Sequence, residues 1–413
     1  MPEDAAIHTT CAIVGGGPAG LVLGLLLARA GLEVTVLEKH GDFLRDFRGD
    51  TVHPTTLGLL DDLGLLERFE ALPHSRIRRV RVPVRDGRDV VVVDFGRLPV
   101  RHPYVAMVPQ WDLLDLLAEA AAAERGFTLL REHEVTGVVR EGDRVTGVAY
   151  RSPDGEGTLL ADLTVACDGR WSTVRRAIGL TARSFPVGFD VWWYRIPTSR
   201  SVGEALLPRL ARGRAVIAIP RRGYLQVAAL GLKGTDETLR DRGLASFRAE
   251  AAELLPEVAD DVDRITSMDE VKHLDVRLDR LRRWHRPGVL CIGDAAHAMS
   301  PVGGVGINLA VQDAVAAANL LRDALADRSG DADALTPLLA RVQRRRLFPA
   351  RVTQAVQVAI QNRLLAPVLR RDGADAAPFG VPWPLRWMQW LPWLQALPAY
   401  AVGIGVRPER VRQ

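Results

Sequence analysis

The chain has 413 residues, 47% hydrophobic and 25% charged, with a formal net charge of +4 at pH 7. That balance excludes a disordered or fibrous protein and leaves length for more than one domain. The cationic residues are almost all arginine, with lysine only at 39, 233 and 272, and no basic run is interleaved with aromatics, so nucleic acid is not expected as a partner.

The cysteines, Cys11, Cys167 and Cys291, are far apart, each beside an apolar run, and read as small buried hydrophobes in a reducing compartment. No CxxC pair and no metal-ligand spacing occurs, and the N-terminus lacks the pattern of a signal peptide, so a cytoplasmic location without a metal is expected.

In chain order, residues 10–40 read as a strand–helix–strand unit: "TCAIVGG", then "PAGLVLGLLLARAG", then "EVTVLEK". "TTLGLLDDLGLLERF" has the apolar spacing of one amphipathic helix, and "QWDLLDLLAEAAAAERG" (110–126) that of another. Strands are expected over 127–150 and 158–167. The texture changes over 183–283, where "FDVWWYRIP", "RAVIAIP" and "GYLQVAALG" suggest an antiparallel sheet with a helix near 240–255 inserted. After "GVLCIGDAAH" a long helix runs from about Ile307 to Ala326, and 334–370 is helical. The expected fold is α/β. A discontinuous, Rossmann-like domain (1–75, 101–182 and 284–330) accompanies an antiparallel substrate domain (76–100 and 183–283) and a C-terminal helical region (331–413).

"GGGPAG" contains Gly15-x-Gly17-x-x-Gly20 at a strand-to-helix turn, with Pro18 and Ala19 opening the helix. Glycines there permit the tight turn and the approach of a pyrophosphate, whose charge meets the helix N-terminus. Glu38 ends the next strand, placed to accept from an adenosine ribose, with Lys39 beside it. This motif alone does not distinguish FAD from NAD.

"CIGDAAHAMSPVGGVGINLAVQDA", "CDGRWSTVR" (167–175) and "GGGPAG" with Glu38 make that distinction. Together, in this order, they resemble the motifs of the class A flavoprotein monooxygenases, the para-hydroxybenzoate hydroxylase type, over residues 11 to about 323. The resemblance implies FAD held without covalent linkage and reduced by transiently docked NAD(P)H. It also implies O2 as co-substrate, a flavin C4a-hydroperoxide, and hydroxylation or epoxidation of an organic substrate.

Asp294, after an apolar strand, is placed to accept from the ribityl hydroxyls. Gly303, Gly304 and Gly306 clear room for the flat ring, Pro301 stiffens the loop, and Ile307 and Asn308 with Gly306 are candidates for the pyrimidine edge. The helix that follows points its positive end at that loop, suited to charge on a reduced flavin. Many members of the family carry glutamine where this chain has Val305. His297 belongs with the cofactor loop rather than with proton transfer. Asp168 is expected to bond inside its turn, Ser172 to cap the next helix, and Arg175 to meet phosphate or a carboxylate. Arg48 and Gln110 match positions that touch the flavin chain or pyrophosphate in the family.

Trp192, Tyr194, Tyr224 and Gln226 are the candidate substrate wall. Alternation sets Trp192 with Tyr194 on one face and Trp193 with Arg195 on the other, without saying which lines the pocket. His53, Tyr194 and Tyr224 are the candidates for a base. "WWYRIP" superficially resembles a flavin-halogenase signature, but tyrosine stands for its second tryptophan and no lysine occurs between 39 and 233.

The tail 381–405 carries Trp383, Trp387, Trp390 and Trp393, the last three on one helical stripe until Pro392. It reads as a cover for the core or the substrate entrance, or as a weak membrane contact. The apolar, tryptophan-bearing segments favour an aromatic or polycyclic substrate. A monomer or homodimer is expected. Rival readings are an FAD dehydrogenase, reductase or oxidase on the same scaffold, and a non-catalytic flavin-binding, membrane-associated protein.

Overall fold

The computed structural model describes residues 7–44, 50–83, 89–200, 207–211, 214–221, 223–327, 334–370 and 390–412. Its main sheet runs in the order His285–Arg286, Val289–Cys291, Gly155–Ala166, Ile7–Val14, Val34–Glu38, Phe127–Arg131. Ile7–Val14 pairs in parallel with both Gly155–Ala166 and Val34–Glu38, which pairs in parallel with Phe127–Arg131. A meander of Glu134–Glu141 and Arg144–Ser152 extends Gly155–Ala166 in the antiparallel sense.

Parallel strands form here because both faces are covered. Val34–Glu38 is buried throughout, and Pro18–Arg29, Gln110–Ala122 and Gly306–Ala326 supply the helices. Pro18–Arg29 lies so close to the sheet that a Cβ on Gly24 would come 2.7 Å from the Phe127 ring. The helical stretch Val302–Ala326 is long and apolar enough to cross a membrane; here it is a core helix, packed on Pro18–Arg29 and Leu335–Ile360.

A second, antiparallel sheet has the order Leu207–Ala211, Arg214–Arg221, Tyr224–Leu232, Phe189–Pro197, Lys272–Leu274. One face packs on the helix Gly243–Leu254. A small sheet of Thr51–Val52, Val105–Met107 and Ser75–Ile77 lies between the two large ones.

The fold departs from expectation at two points. The single helix over "TTLGLLDDLGLLERF" is two, Pro54–Asp62 and Leu66–Glu70, because Gly64 takes a left-handed φ of 70° and ends the first turn sequence. In the tail, Trp390 is in a turn and Trp393 in the short 3-10 helix Pro392–Gln395, so they share no α-helix. Trp383 and Trp387 lie outside the described residues.

A buried ion pair ties the second large sheet to the small one. Arg221, ending a strand of the second sheet, donates to Asp50 at 2.7 Å and to the Met107 carbonyl, with both charged side chains 4% exposed. Burial raises the Asp50 carboxyl above its usual range although Arg221 opposes that rise. Removing one partner leaves a buried charge or forces a proton onto it. Arg221→Ala is therefore expected to lower unfolding stability by about 3–5 kcal/mol in denaturant titrations, more than Arg221→Ala combined with Asp50→Asn.

Candidate functional site

The glycine turn is built by close approach. Gly15 has φ 101°, and a Cβ there would lie 2.6 Å from the Cys167 carbonyl oxygen; one on Gly20 would lie 2.0 Å from the Gly15 carbonyl oxygen. Around Gly17 the opposite holds, with no atom within 4 Å of where its Cβ would point. That open space lies at the N-cap of Pro18–Arg29, with Pro18 and Ala19 in its first turn. The turn thus has the tight geometry and the clear approach that a pyrophosphate needs.

Glu38 is 2% exposed, its carboxylate accepting from the Gly16 amide at 2.8 Å and the His40 amide at 3.1 Å. These amides aim it beside the glycine turn, and a carboxylate accepts from more than two donors. Lys39 is exposed next to it. Asp168 Oδ2 accepts from the Val174 amide at 3.1 Å, while buried Oδ1 has no partner. Ser172 caps the short helix, accepting from the Arg175 amide at 2.9 Å, and Arg175 faces Asp279 at 3.6 Å.

The loop from Gly293 to Asn308 is clamped from several sides. Gly304 takes φ 62° and packs so tightly on Thr51 that a Cβ would fall 2.3 Å from Oγ1. Its carbonyl accepts from Thr51 Oγ1 at 2.7 Å and faces His53 Nε2 at 3.0 Å. Asn308 Oδ1 accepts from the Thr55 and Thr56 hydroxyls, so what it retains for a ring is its amide group and its backbone. From the other side, Gln357 brackets Ser300, accepting from its amide at 3.2 Å and donating to its carbonyl at 2.8 Å. Gly306 and Pro301 are half-buried, Ile307 is buried, and no atom lies within 4 Å of where a Gly306 Cβ would be. Asp294 is half-buried, 3.4 Å from Arg170.

The partnerless Asp168 Oδ1 and the clear spaces at Gly17 and Gly306 are features a bound FAD can fill. The residues present therefore fit that cofactor.

His297 is buried, with Nε2 2.5 Å from Asp313. His53 is also buried, and desolvation drives its pKa down to about 4, so the ring is neutral at pH 7. Its Nδ1 has no partner. Gln110 opens the helix Gln110–Ala122, and Arg48 lies outside the described residues.

Two candidates for the substrate wall need correction. Trp192 and Tyr194 are almost fully buried in the core between the second sheet and the helix Gly243–Leu254. Trp192 donates to Asp236 at 2.7 Å, and Tyr194 meets Phe247 edge-on at 4.9 Å. Burial also raises the Tyr194 phenol far above its usual range, so it is no base. Strand register puts Tyr224 and Gln226 on the opposite face, with Trp193 and Arg195. There Arg195 sits over the rings of Trp111 and Tyr224, at 5.5 and 5.0 Å, and Gln226 accepts from Arg221 at 3.2 Å.

Comparison with known proteins agrees with this geometry. A family model described as FAD binding domain matches residues 8–356. The chain is 36% identical over 392 residues to 6-methylpretetramide 4-monooxygenase of Streptomyces rimosus, covering 90% of this chain and 88% of that one. It is 32% identical to the S. rimosus 12-dehydrotetracycline 5-monooxygenase/anhydrotetracycline 6-monooxygenase over 73% of this chain, but spans only 60% of that protein's length. The fold is shared with the anhydrotetracycline hydroxylase OxyS of S. rimosus, TM-score 0.74 at 24% identity, covering 98% of this chain and 78% of that one. It is also shared with PqsL of Pseudomonas aeruginosa, TM-score 0.71 at 24% identity, covering 87% and 97%.

The chain belongs to this FAD-binding family, as a class A flavoprotein monooxygenase. It is an FAD-dependent enzyme.

Sequence reasoning missed Asp313 and Arg346, both buried and paired at 2.8 Å, and the Asp50–Arg221 pair. Asp313 had one signal, a charge in the otherwise apolar helical run "NLAVQDAV"; Arg346 sits in the arginine-rich run "RVQRRRLFPAR", and Asp50 and Arg221 lie beside a strand and at a strand end with no spacing to read. The depressed His53 pKa carries a sign. The folded state excludes a proton that the unfolded chain binds below pH 6.5, so stability declines as pH falls from there toward about 4. Unfolding titrations are expected to show a loss of about 2 kcal/mol between pH 7 and pH 5 from this group, removed in His53→Gln.

Proposed function

We propose that this enzyme hydroxylates an electron-rich, apolar polycyclic aromatic molecule, with NAD(P)H as transient reductant and O2 as co-substrate. The observation that carries the reading is the match to 6-methylpretetramide 4-monooxygenase, which covers 90% of this chain and 88% of that one. The substrate wall we assign is the second-sheet face bearing Trp193, Arg195, Tyr224 and Gln226, opposite the one packed on helix Gly243–Leu254.

FAD, when bound, supplies the redox chemistry and the activation of O2. Gly15, Gly17, Pro18, Ala19 and Gly20 would hold its pyrophosphate and Glu38, with Lys39 nearby, its ribose. Asp294 would take the ribityl chain, with Asp168, Gln110 and Arg48 along the phosphate side, and Pro301, Gly304, Gly306, Ile307 and Asn308 would border the ring. The amides that open the helix Gly306–Ala326 would oppose negative charge at the ring's N1/O2 edge. What the protein adds beyond binding is orientation and exclusion of water.

No proton-transfer group is assigned. His53 is neutral and Tyr194 faces the core, which leaves Tyr224, held under Arg195, as a substrate contact. The reduced thiols fit a cytoplasmic enzyme.

Turnover of 6-methylpretetramide under 18O2, with FAD and NADPH or NADH, is expected to place one labelled oxygen in the product for each reductant consumed. An oxidised product without label would instead identify a dehydrogenase or oxidase. Reductant consumption that no aromatic substrate stimulates would leave only a flavin-binding protein.

A further inference from the structure

The second-sheet face that bears Trp193 and Arg195 is apolar and only partly covered. Leu369 joins Phe189, Val191 and Leu230 in one cluster on it, and Met107 joins Ile219 in another. Trp193, Arg195, Ile217 and Tyr224 are left half-buried on the same face. Val302, in the loop that borders the ring site, packs half-buried against the cluster that Trp193 and Ile217 also touch. A short chain of contacts fixes this face to that loop. Arg221 donates to the Met107 carbonyl, Met107 pairs in register with Thr51, and Thr51 Oγ1 donates to the Gly304 carbonyl at 2.7 Å.

Two polar groups stand in this apolar setting. Trp193 Nε1 is buried and has no hydrogen-bond partner among the described residues. Arg195, two positions further along the strand and so on the same face, holds its guanidinium over the rings of Trp111 and Tyr224 at 5.5 and 5.0 Å. Those rings orient the cation but bring no anion to it. Burial works against the charge of Arg195, and Asp50, the carboxylate that favours it, is also bonded to Arg221 at 2.7 Å. Two cations thus share that acid. From the neighbouring elements come Asp112, beside Trp111, and the Tyr224 phenol, both raised above their usual ranges by burial, and His53, neutral at pH 7.

We propose that Arg195 binds an ionised phenol or enol oxygen of the substrate, and so selects acidic, hydroxylated polycycles over neutral ones. The inference rests on the substrate wall assigned above and names the chemistry which that wall reads. An arginine stays charged at any pH at which the protein is folded, and an opposite charge at close range favours the ionised form of an acid. The substrate O–H proton therefore leaves to solvent, while the guanidinium keeps its own protons. The ring left behind is richer in electrons than the neutral phenol, as its hydroxylation requires. A fixed charge thus performs the task that a base would otherwise have. The Trp193 N–H, on the same face, is available to donate to a second, neutral oxygen of the same molecule.

The test is binding of 2-hydroxyanthraquinone and of its methyl ether, 2-methoxyanthraquinone, to the full-length FAD-loaded protein without reductant. The colour of the hydroxy probe reports its ionisation, and quenching of tryptophan fluorescence reports occupancy by either probe. The natural protein is expected to hold the ionised probe at least about ten-fold more tightly than the neutral one. The bound probe then changes colour at a lower pH than the free probe. Arg195→Gln should abolish this preference and Arg195→Lys should keep part of it, while the ether binds all three proteins alike. Flavin absorbance and melting temperature report that the variants remain folded. The inference is overturned if the natural protein binds both probes equally at every pH, or if Arg195→Gln retains the preference for the anion; the polycyclic-substrate reading survives either result. Binding of neither probe would overturn that reading, and this inference with it.

Discussion

The candidate flavin site depends on one carboxylate in the core. Asp313, fully buried in the helix Gly306–Ala326, accepts from the Gly293 amide at 3.1 Å, pairs with His297 at 2.5 Å and accepts from Arg346 Nε at 2.8 Å. Burial by itself would raise its pKa, but the charges of His297 and Arg346 hold it below the usual carboxylate range. Arg346 also donates to the Arg407 carbonyl at 3.3 Å and lies 3.6 Å from Glu409. A single charge therefore ties together the start of the cofactor loop, the helix that ends it, the long helix Leu335–Ile360 and the end of the chain. Such a group costs more to leave unpaired than the pair contributes, which makes the arrangement all-or-none.

Around that tie the site is assembled from segments that approach from opposite sides. The 51–56 segment holds the far end of the loop through Thr51, His53, Thr55 and Thr56. Glutamines at 354 and 357, neighbours on one helical face, hold its middle through the backbone of Ala298, Ser300 and Val302. The loop is consequently a rigid wall, in keeping with chemistry that demands a fixed ring and little water. Asp50 and Arg221 then fix the second sheet against the same 50–56 segment, so the proposed substrate wall and cofactor loop share a frame.

Much of this was legible from local pattern. The glycine turn, the Ser172 cap and the helix starting near Ile307 follow from residue chemistry within a few positions, and the structure forms each of them. The parity of Phe189–Pro197 was legible too, but not its direction. Which of Trp192 or Trp193 faces inward is decided by where the helix Gly243–Leu254 packs, a tertiary fact that alternation does not carry. The partnership of Asp313 with Arg346, and of Asp50 with Arg221, spans long sequence separations and leaves no spacing to read. Gly64 went unread as a helix end because the apolar period continues through it. Arg48, Trp383 and Trp387 lie outside the described residues.

The central claim is that the buried Asp313 tie shapes the loop proposed to receive FAD. The most direct measurement is FAD titration of the apoprotein, natural and Asp313→Asn, followed by flavin fluorescence quenching, with circular dichroism recorded alongside. The account predicts retained secondary structure and FAD affinity weakened at least about ten-fold, the equivalent of about 1.4 kcal/mol. A folded Asp313→Asn protein that binds FAD as tightly as the natural one would contradict it.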